Sequence, residues 1–390
     1  MNKNSSNMSL KEGVETSIGT MPCITCALCG HKGEFLYSNQ QDRLFGANGS
    51  WNLKQCVNQD CGLIWLDPMP LKEEIGKAYA SYYTHTPRDP SKRPRMLRRI
   101  RNLIERGYLA KEYNYEIGSR PLLTRILGNL LYLLPIYRNE ADAGVRCLPA
   151  LPGGRLLDVG CGTGEWLLSM RQRGWQVEGI DFDENAVKVA VQQGLLVHCN
   201  SLEQHGFPDD YFDAVTFNHL IEHVPDPVQT LAECTRILKP GGKLVILTPN
   251  NASFTHRVFK QDWRGLEPPR HLHIFSMLSM RRALAMAGFN KTSIYPLIAT
   301  SIIYESILLR RNCTASAEGS RRNWSAKVSA RIFKLLEFCI LKWKPELGDC
   351  LIAIAEKAKN SPEVDVDGLM DIRNHDATSS SVLNARLLVQ

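Results

Sequence analysis

Arg155-Leu-Leu-Asp-Val-Gly-Cys-Gly-Thr-Gly-Glu165 is the stretch on which the fold turns. Leu156, Leu157 and Val159 predict a short buried strand. Gly160, Gly162 and Gly164 follow at alternate positions and remove side chains where a ligand must approach the backbone. Glu165 to Arg173 has helical composition and stops at Gly174. Strand, glycine turn and helix make the first unit of a nucleotide-binding α/β sheet.

The chain on either side keeps this alternation. Gln176–Ile180 reads as a second strand ending at Asp181, 23 residues past Asp158, where a carboxylate can take both ribose hydroxyls. Leu195–His198 reads as strand three, Phe212–Phe217 as strand four and Lys243–Leu247 as strand five, with helices between them. Lys291–Leu297 would be strand six, and Asp349–Glu356 an antiparallel last strand. The predicted fold is α/β, a doubly wound, mostly parallel seven-stranded sheet. Its ligand would lie at the carboxyl ends of the strands, where the segments holding Gly160, Asp181, Asn200 and His219 meet.

Spacing selects among nucleotide ligands. A dinucleotide fingerprint needs its third glycine where this chain has Glu165. The pattern Asp-x-Gly-x-Gly-x-Gly over 158–164 resembles motif one of the class I S-adenosylmethionine-dependent methyltransferases. Phe-Asp-Ala-Val-Thr at 212–216, Ile-Glu-His-Val-Pro-Asp-Pro at 221–227 and Arg-Ile-Leu-Lys-Pro-Gly-Gly at 236–242 extend the resemblance over roughly Leu151 to Phe289. It implies a cofactor site in which Gly160, Gly162 and Gly164 back onto the methionine part and Asp158 supports its amino group. Asp181 would hold the ribose, Phe182 and Leu202 would flank adenine, and Asn218 would border the same pocket.

Upstream, Cys26-Ala-Leu-Cys29-Gly and Cys56-Val-Asn-Gln-Asp-Cys61-Gly are two close cysteine pairs separated by a hairpin-length segment. Cys26, Cys29, Cys56 and Cys61 offer four thiolates to one structural zinc ion, with Cys23 an alternative to Cys26. The remaining cysteines are scattered singly, as in a reducing cytosol. Cys-Gly-Leu-Ile-Trp-Leu-Asp-Pro-Met-Pro at 61–70, followed by Tyr82-Tyr83, resembles the zinc-binding leader of a methyltransferase subgroup associated with sugar and polysaccharide modification. The predicted organisation is a disordered tail over 1–22 and a zinc-ribbon-like domain over 23–70, followed by a helical cap over 71–150. The methyltransferase domain then covers 151–358, with an insert at about 298–347, and a polar tail covers 359–390.

The net charge of +7 is mild and does not by itself imply nucleic acid. No signal-peptide core and no membrane-length apolar run is present, so the expected location is cytoplasmic, with peripheral contact at the inner membrane surface as an option. That option arises from Arg95, Arg98, Arg99, Arg101 and Arg106 around an apolar helical face. The alternatives for this face are an anion site and a cap helix with its arginines in water. In the insert, Val328, Ile332, Leu335, Leu336 and Cys339 form a stripe on a helix apolar nearly all round, expected to be sandwiched within the protein or to touch a membrane or partner.

A sulfonium donor carries its own leaving group, so positioning supplies much of the rate. A hydroxyl acceptor also needs a base, and histidine is the natural one. His271 and His273, in the proline-stiffened segment Trp263–Phe275, are the first candidates, since this segment resembles the post-strand-five loop of the same subgroup. His219 and His223, one helical turn apart beside Glu222, are the second. A catalytic metal is a third possibility, because ubiquinone-pathway O-methyltransferases and small-RNA 2′-O-methyltransferases bind divalent ions at Glu-x-x-Glu-His. Here His219 replaces the first Glu, which disfavours magnesium. The expected activity is O-methylation of a sugar hydroxyl on a nucleotide- or lipid-linked glycan precursor. The alternatives are an RNA methyltransferase, a ubiquinone-type small-molecule O-methyltransferase and a non-enzymatic zinc adaptor.

Overall fold

The computed structural model describes residues 17–79, 95–116, 121–312 and 322–359. Residues 1–16, the Tyr82-Tyr83 pair, the start of the basic stretch at 88–94 and the tail from 360 lie outside the described residues.

The leader contributes β1 (Thr20–Met21), β2 (Gly33–Gln40), β3 (Trp51–Cys56), β4 (Ile64–Leu66) and β5 (Met69–Pro70). Lys72–Tyr79 follows as a 3-10 helix rather than the α-helix its composition predicts. The cap is α1 (Arg95–Tyr113), α2 (Pro121–Gly128) and α3 (Pro135–Gly144). A 3-10 turn at Asn129–Leu133 separates α2 from α3, and Pro135, which has no amide donor, starts the new helix. Helices α1 and α2 cross where two glycines meet: a Cβ on Gly107 would lie 1.8 Å from the Thr124 carbonyl oxygen.

The α/β unit then runs β6 (Arg155–Val159), α4 (Glu165–Arg171), β7 (Gln176–Asp181), α5 (Glu184–Gln192), β8 (Leu196–Cys199), α6 (Leu202–His205), β9 (Phe212–Asn218), α7 (Pro227–Ile237) and β10 (Leu238–Pro249). After it come α8 (Phe254–Phe259), β11 (His273–Ile274), α9 (Met277–Met286), β12 (Lys291–Leu297), α10 (Thr300–Arg310), α11 (Arg322–Leu341) and β13 (Cys350–Glu356). Seven of these strands form one sheet in the order β12-β13-β10-β9-β6-β7-β8. Strand β13 alone runs antiparallel to its neighbours. Order reverses between β6 and β9, which opens a crevice at the carboxyl ends of these two central strands. Leu156, Leu157, Val215 and Ile246 are fully buried, as strands covered on both faces require.

The leader is not a separate bead. Strands β2, β3 and β4 form an antiparallel sheet whose fourth member is β11, from the α/β unit, with His273 opposite Trp65 and Ile274 opposite Ile64. Leu53, Leu63 and Leu66 of the leader share one contiguous core with Leu157, Phe217 and Ile246 of the main sheet. Among the described residues, no helix is long and apolar enough to cross a membrane.

Candidate functional site

The glycine turn is held from below by a carboxylate. The Gly162 amide donates to Asp181 Oδ2 at 2.8 Å, and the Asp183 amide donates to Asp181 Oδ1 at 3.0 Å. Burial pushes the Asp181 carboxyl up, and the two amides act against that shift. The three glycines differ in what they do. Gly162 adopts φ +53°, and a Cβ there would meet open space, so it keeps the floor clear for a ligand. Gly164 adopts φ +78° and caps α4, and a Cβ there would strike Leu195 at 2.3 Å, so its role is packing.

Asp158 departs from its expected part. It is 1% exposed, and Arg146, from the loop after α3, pairs with its carboxylate. The Thr216 hydroxyl donates to the same oxygen at 3.0 Å and accepts from Arg146 at 2.6 Å. Arg146 also stacks on Trp166, its guanidinium carbon 3.5 Å from the ring centroid. The carboxylate thus ties cap to sheet and is engaged within the protein. Leu202 is likewise core, 3% exposed beneath the start of α6. Phe182 is the opposite case. It is 56% exposed and meets Tyr79 edge-on, ring centroids 5.5 Å apart.

The four histidines separate by burial. The expectation that His219 and His223 share a helical face fails, because β9 runs to Asn218 and the chain then turns abruptly. His219 adopts φ +54°, and only a short 3-10 turn over Ile221–His223 follows. Asn218 is exposed at the strand end. The His219 side chain is 43% exposed, and its Nδ1 lies 3.2 Å from Oε1 of the fully buried Glu222. Glu222 also accepts from Thr248 at 2.9 Å. Burial works to raise the Glu222 carboxyl, yet the His219 hydrogen bond and the nearby His223 and His271 rings hold it down to about 2.

His223 Nδ1 donates to the Arg270 carbonyl at 3.0 Å and lies 2.9 Å from the Tyr79 hydroxyl. Burial, helped by His271, lowers its pKa to about 4. His271 is 4% exposed; its Nδ1 donates to the Gly265 carbonyl at 2.7 Å and its Nε2 lies 3.2 Å from Glu267. His273 is 1% exposed, donates to the Val224 carbonyl at 3.2 Å, and burial lowers it to about 4. The segment expected to face substrate is therefore an interior connector. Trp263 and Arg270 are buried with it, and Arg270 pairs with Asp42 of the leader at 2.9 Å and with Glu267 at 2.8 Å. Tyr79, which sequence reasoning passed over, reaches both Phe182 and His223, and no local pattern announces it.

Among the described residues, two groups of side chains could hold metal. In the leader, Cys26 Sγ lies 3.6 Å from Cys61 Sγ, and Cys29 Sγ lies 3.3 Å from Cys56 Sγ. Sulfurs at the corners of a zinc tetrahedron are roughly 3.8 Å apart, from a Zn–S bond of about 2.3 Å. All four sulfurs lie within 4.8 Å of one another, and Cys23 stands outside the group. Glu222, His223 and His271 form the second group. It offers one carboxylate and two imidazoles, a poor match to magnesium, and Nε2 of His271 is already engaged by Glu267. These residues do not fit the divalent ion that the Glu-x-x-Glu-His resemblance implies.

Comparison with known proteins accords with this geometry. Residues 135–294 match a family model described as a methyltransferase domain. A ubiquinone biosynthesis O-methyltransferase of Alkalilimnicola ehrlichii is 39% identical over 116 residues, 28% of this chain and 47% of that protein. A demethylmenaquinone methyltransferase of Lysinibacillus sphaericus is 40% identical over 120 residues, 28% of this chain and 50% of that protein. The chain thus spans about half the length of these curated relatives. Among solved structures, an S-adenosylmethionine-dependent methyltransferase from Mesorhizobium loti is similar at 19% identity, with 56% of this chain and 97% of that chain covered and a TM-score of 0.40.

Proposed function

We propose, from the class I S-adenosylmethionine-dependent methyltransferase domain that residues 135–294 form, that this protein methylates a hydroxyl group with His219 as general base. The observation that carries the reading is the His219–Glu222 pair. Nδ1–H of His219 donates to a buried carboxylate, which fixes the tautomer and leaves Nε2 to accept a proton. The ring stands half-exposed at the carboxyl end of β9, beside the switch point of the sheet.

S-adenosylmethionine bound over Gly162 and Asp181 would supply a sulfonium methyl. In-line transfer would pass that methyl to the acceptor oxygen as the carbon–sulfur bond breaks, and His219 Nε2 would take the hydroxyl proton. The products are a methyl ether and S-adenosylhomocysteine. Phe182 and Tyr79 form an aromatic wall suited to adenine or to a ring-bearing acceptor. Resemblance of the leader and of residues 263–275 to the polysaccharide-associated subgroup supports a sugar hydroxyl as acceptor. The names of the curated relatives support a quinone-precursor hydroxyl as the competing reading. The same leader is read as a structural zinc site at Cys26, Cys29, Cys56 and Cys61.

The test supplies methyl-labelled donor with nucleotide sugars, lipid-linked sugars, quinols and RNA in parallel. Transfer to a hydroxyl that His219→Ala abolishes while donor affinity persists is the expected result. Absence of donor binding, or transfer indifferent to His219, would overturn the reading.

A further inference from the structure

The insert helix α11 is built inside out. Ala326, Ala330 and Glu337 are its buried positions, whereas Ile332, Leu335 and Leu336 are 53%, 58% and 49% exposed. The apolar stripe visible in the sequence therefore faces solvent, and the expectation that it is sandwiched in the protein is overturned. The reason is steric: the alanines let α11 settle closely on α10, which leaves the bulky residues outward. Trp324 and Trp343, near the two ends of the helix, are 71% and 88% exposed.

A second apolar face lies beside it. On the cap, Leu122, Ile126 and Leu133 are 74%, 57% and 69% exposed. Glu140 of α3 receives Lys334 of α11 and Arg101 of α1, each at 3.4 Å, which sets the cap and the insert helix side by side. Basic residues rim both faces: Lys327, Arg331 and Lys342 are exposed on or just after α11, and Arg125 is exposed on α2. Apolar side chains on the exposed face, tryptophans near the ends and a cationic rim are the attributes of a helix lying in the headgroup boundary. The charge on the rim suits anionic headgroups.

We infer that the outward face of α11, continued by α2 and α3, docks the protein on an anionic lipid surface. The inference is independent of which hydroxyl is methylated. The whole chain is tested by co-sedimentation with phosphatidylcholine vesicles, with and without phosphatidylglycerol. Binding is expected to the anionic vesicles alone, to weaken with salt, and to fall by about tenfold or more in the double variant Leu335→Glu, Leu336→Glu. Both positions are exposed, so the variant should keep its melting temperature and its donor affinity, which separates lost docking from lost folding. No partition into anionic vesicles would overturn the inference, as would partition unchanged in the variant. A dimer seen by light scattering that the same variant splits would assign the face to a second copy instead, and would also overturn it.

Discussion

His219 occupies the left-handed region, which is uncommon for any residue but glycine although histidine is among the side chains that tolerate it best, and its carboxylate partner is wholly buried. Backbone strain and a buried charge spent on one half-exposed imidazole are what a proton-transfer site needs. His219→Ala should lower kcat by about 10²- to 10⁴-fold with little change in donor affinity, measured by single-turnover transfer and calorimetry. His273→Ala should instead act on folding, because that ring is packed in the interior. Loss of turnover with unchanged stability in His273→Ala would reverse the two assignments. The glycines offer a matching pair. Gly162→Ala fills open space above the turn, so donor binding should fall while stability drops by only about 1–2 kcal/mol, the cost of the left-handed backbone. Gly164→Ala drives a methyl into Leu195, so the melting temperature should bear the larger loss. Equal effects of the two on donor affinity would show that the turn works as a unit. The motif was legible because close approach to a ligand demands glycine. The division of labour was not, because it depends on Leu195, a residue of the next strand-helix unit.

At the scale of elements, strands β6 to β10 and their helices were legible from alternation, since a strand buried on both faces and a helix with one apolar stripe write different periods. Strand β11 was not. Two residues carry no period, and His273-Ile274 becomes a strand only because β4 presents an open edge to it. This makes the cysteine knuckles felt at a distance. The Cys61 carbonyl accepts from the hydroxyl of Ser276, three residues past the start of that edge pairing, and β3 ends at Cys56. Cys56→Ser, or removal of metal by a chelator, should therefore raise amide exchange not only in β3 and β4 but over 263–275; exchange confined to 23–61 would disprove the coupling. A second element-scale device joins α11 to β13. The Asp349 amide donates to Glu337 Oε1 at 2.8 Å, and both side chains are buried, with Glu337 Oε2 and Asp349 Oδ2 lacking hydrogen-bond partners among the described residues. Burial first, and mutual repulsion for Glu337, raise both carboxyls above their ordinary values. The folded state then holds protons that the unfolded chain has released, so stability is greatest below the unfolded value near pH 4 and declines as pH rises through the raised folded values. Glu337→Gln keeps an acceptor for the Asp349 amide and removes one charge. Its melting temperature should exceed that of the parent at pH 8, by about 1 kcal/mol or more of stability, and converge with it near pH 4. A gap independent of pH would mean that the pair does not share the protonation.

For the whole molecule, the leader and the α/β unit share one core and one sheet, although the sequence reads as separate domains. Composition suggests a boundary at Pro70, where prolines close the cysteine-rich segment. Two links cross that boundary and neither is local in sequence: strand β11 completes the leader sheet, and Arg270 pairs with Asp42. Leu63, Ile64, Trp65 and Leu66, all within 1% of full burial, lie in the same core as Phe217 and Ile246. A chain lacking residues 17–70 would bare the edge of β11, strand Arg270 in the interior without Asp42, and uncover the apolar floor beneath it. An ionised group deprived of its buried partner costs about 3–5 kcal/mol, and each large apolar side chain newly exposed costs about 1.5–3 kcal/mol. Such losses are of the same order as the roughly 5–15 kcal/mol that separates a folded domain from its unfolded chain. The truncated chain should therefore fail to give a cooperative calorimetric transition or to bind S-adenosylmethionine, while the full chain melts in a single step. A truncated chain that melts cooperatively near the parent temperature and retains donor affinity would show that the two halves are independent after all, and that the shared strand is an ornament of packing.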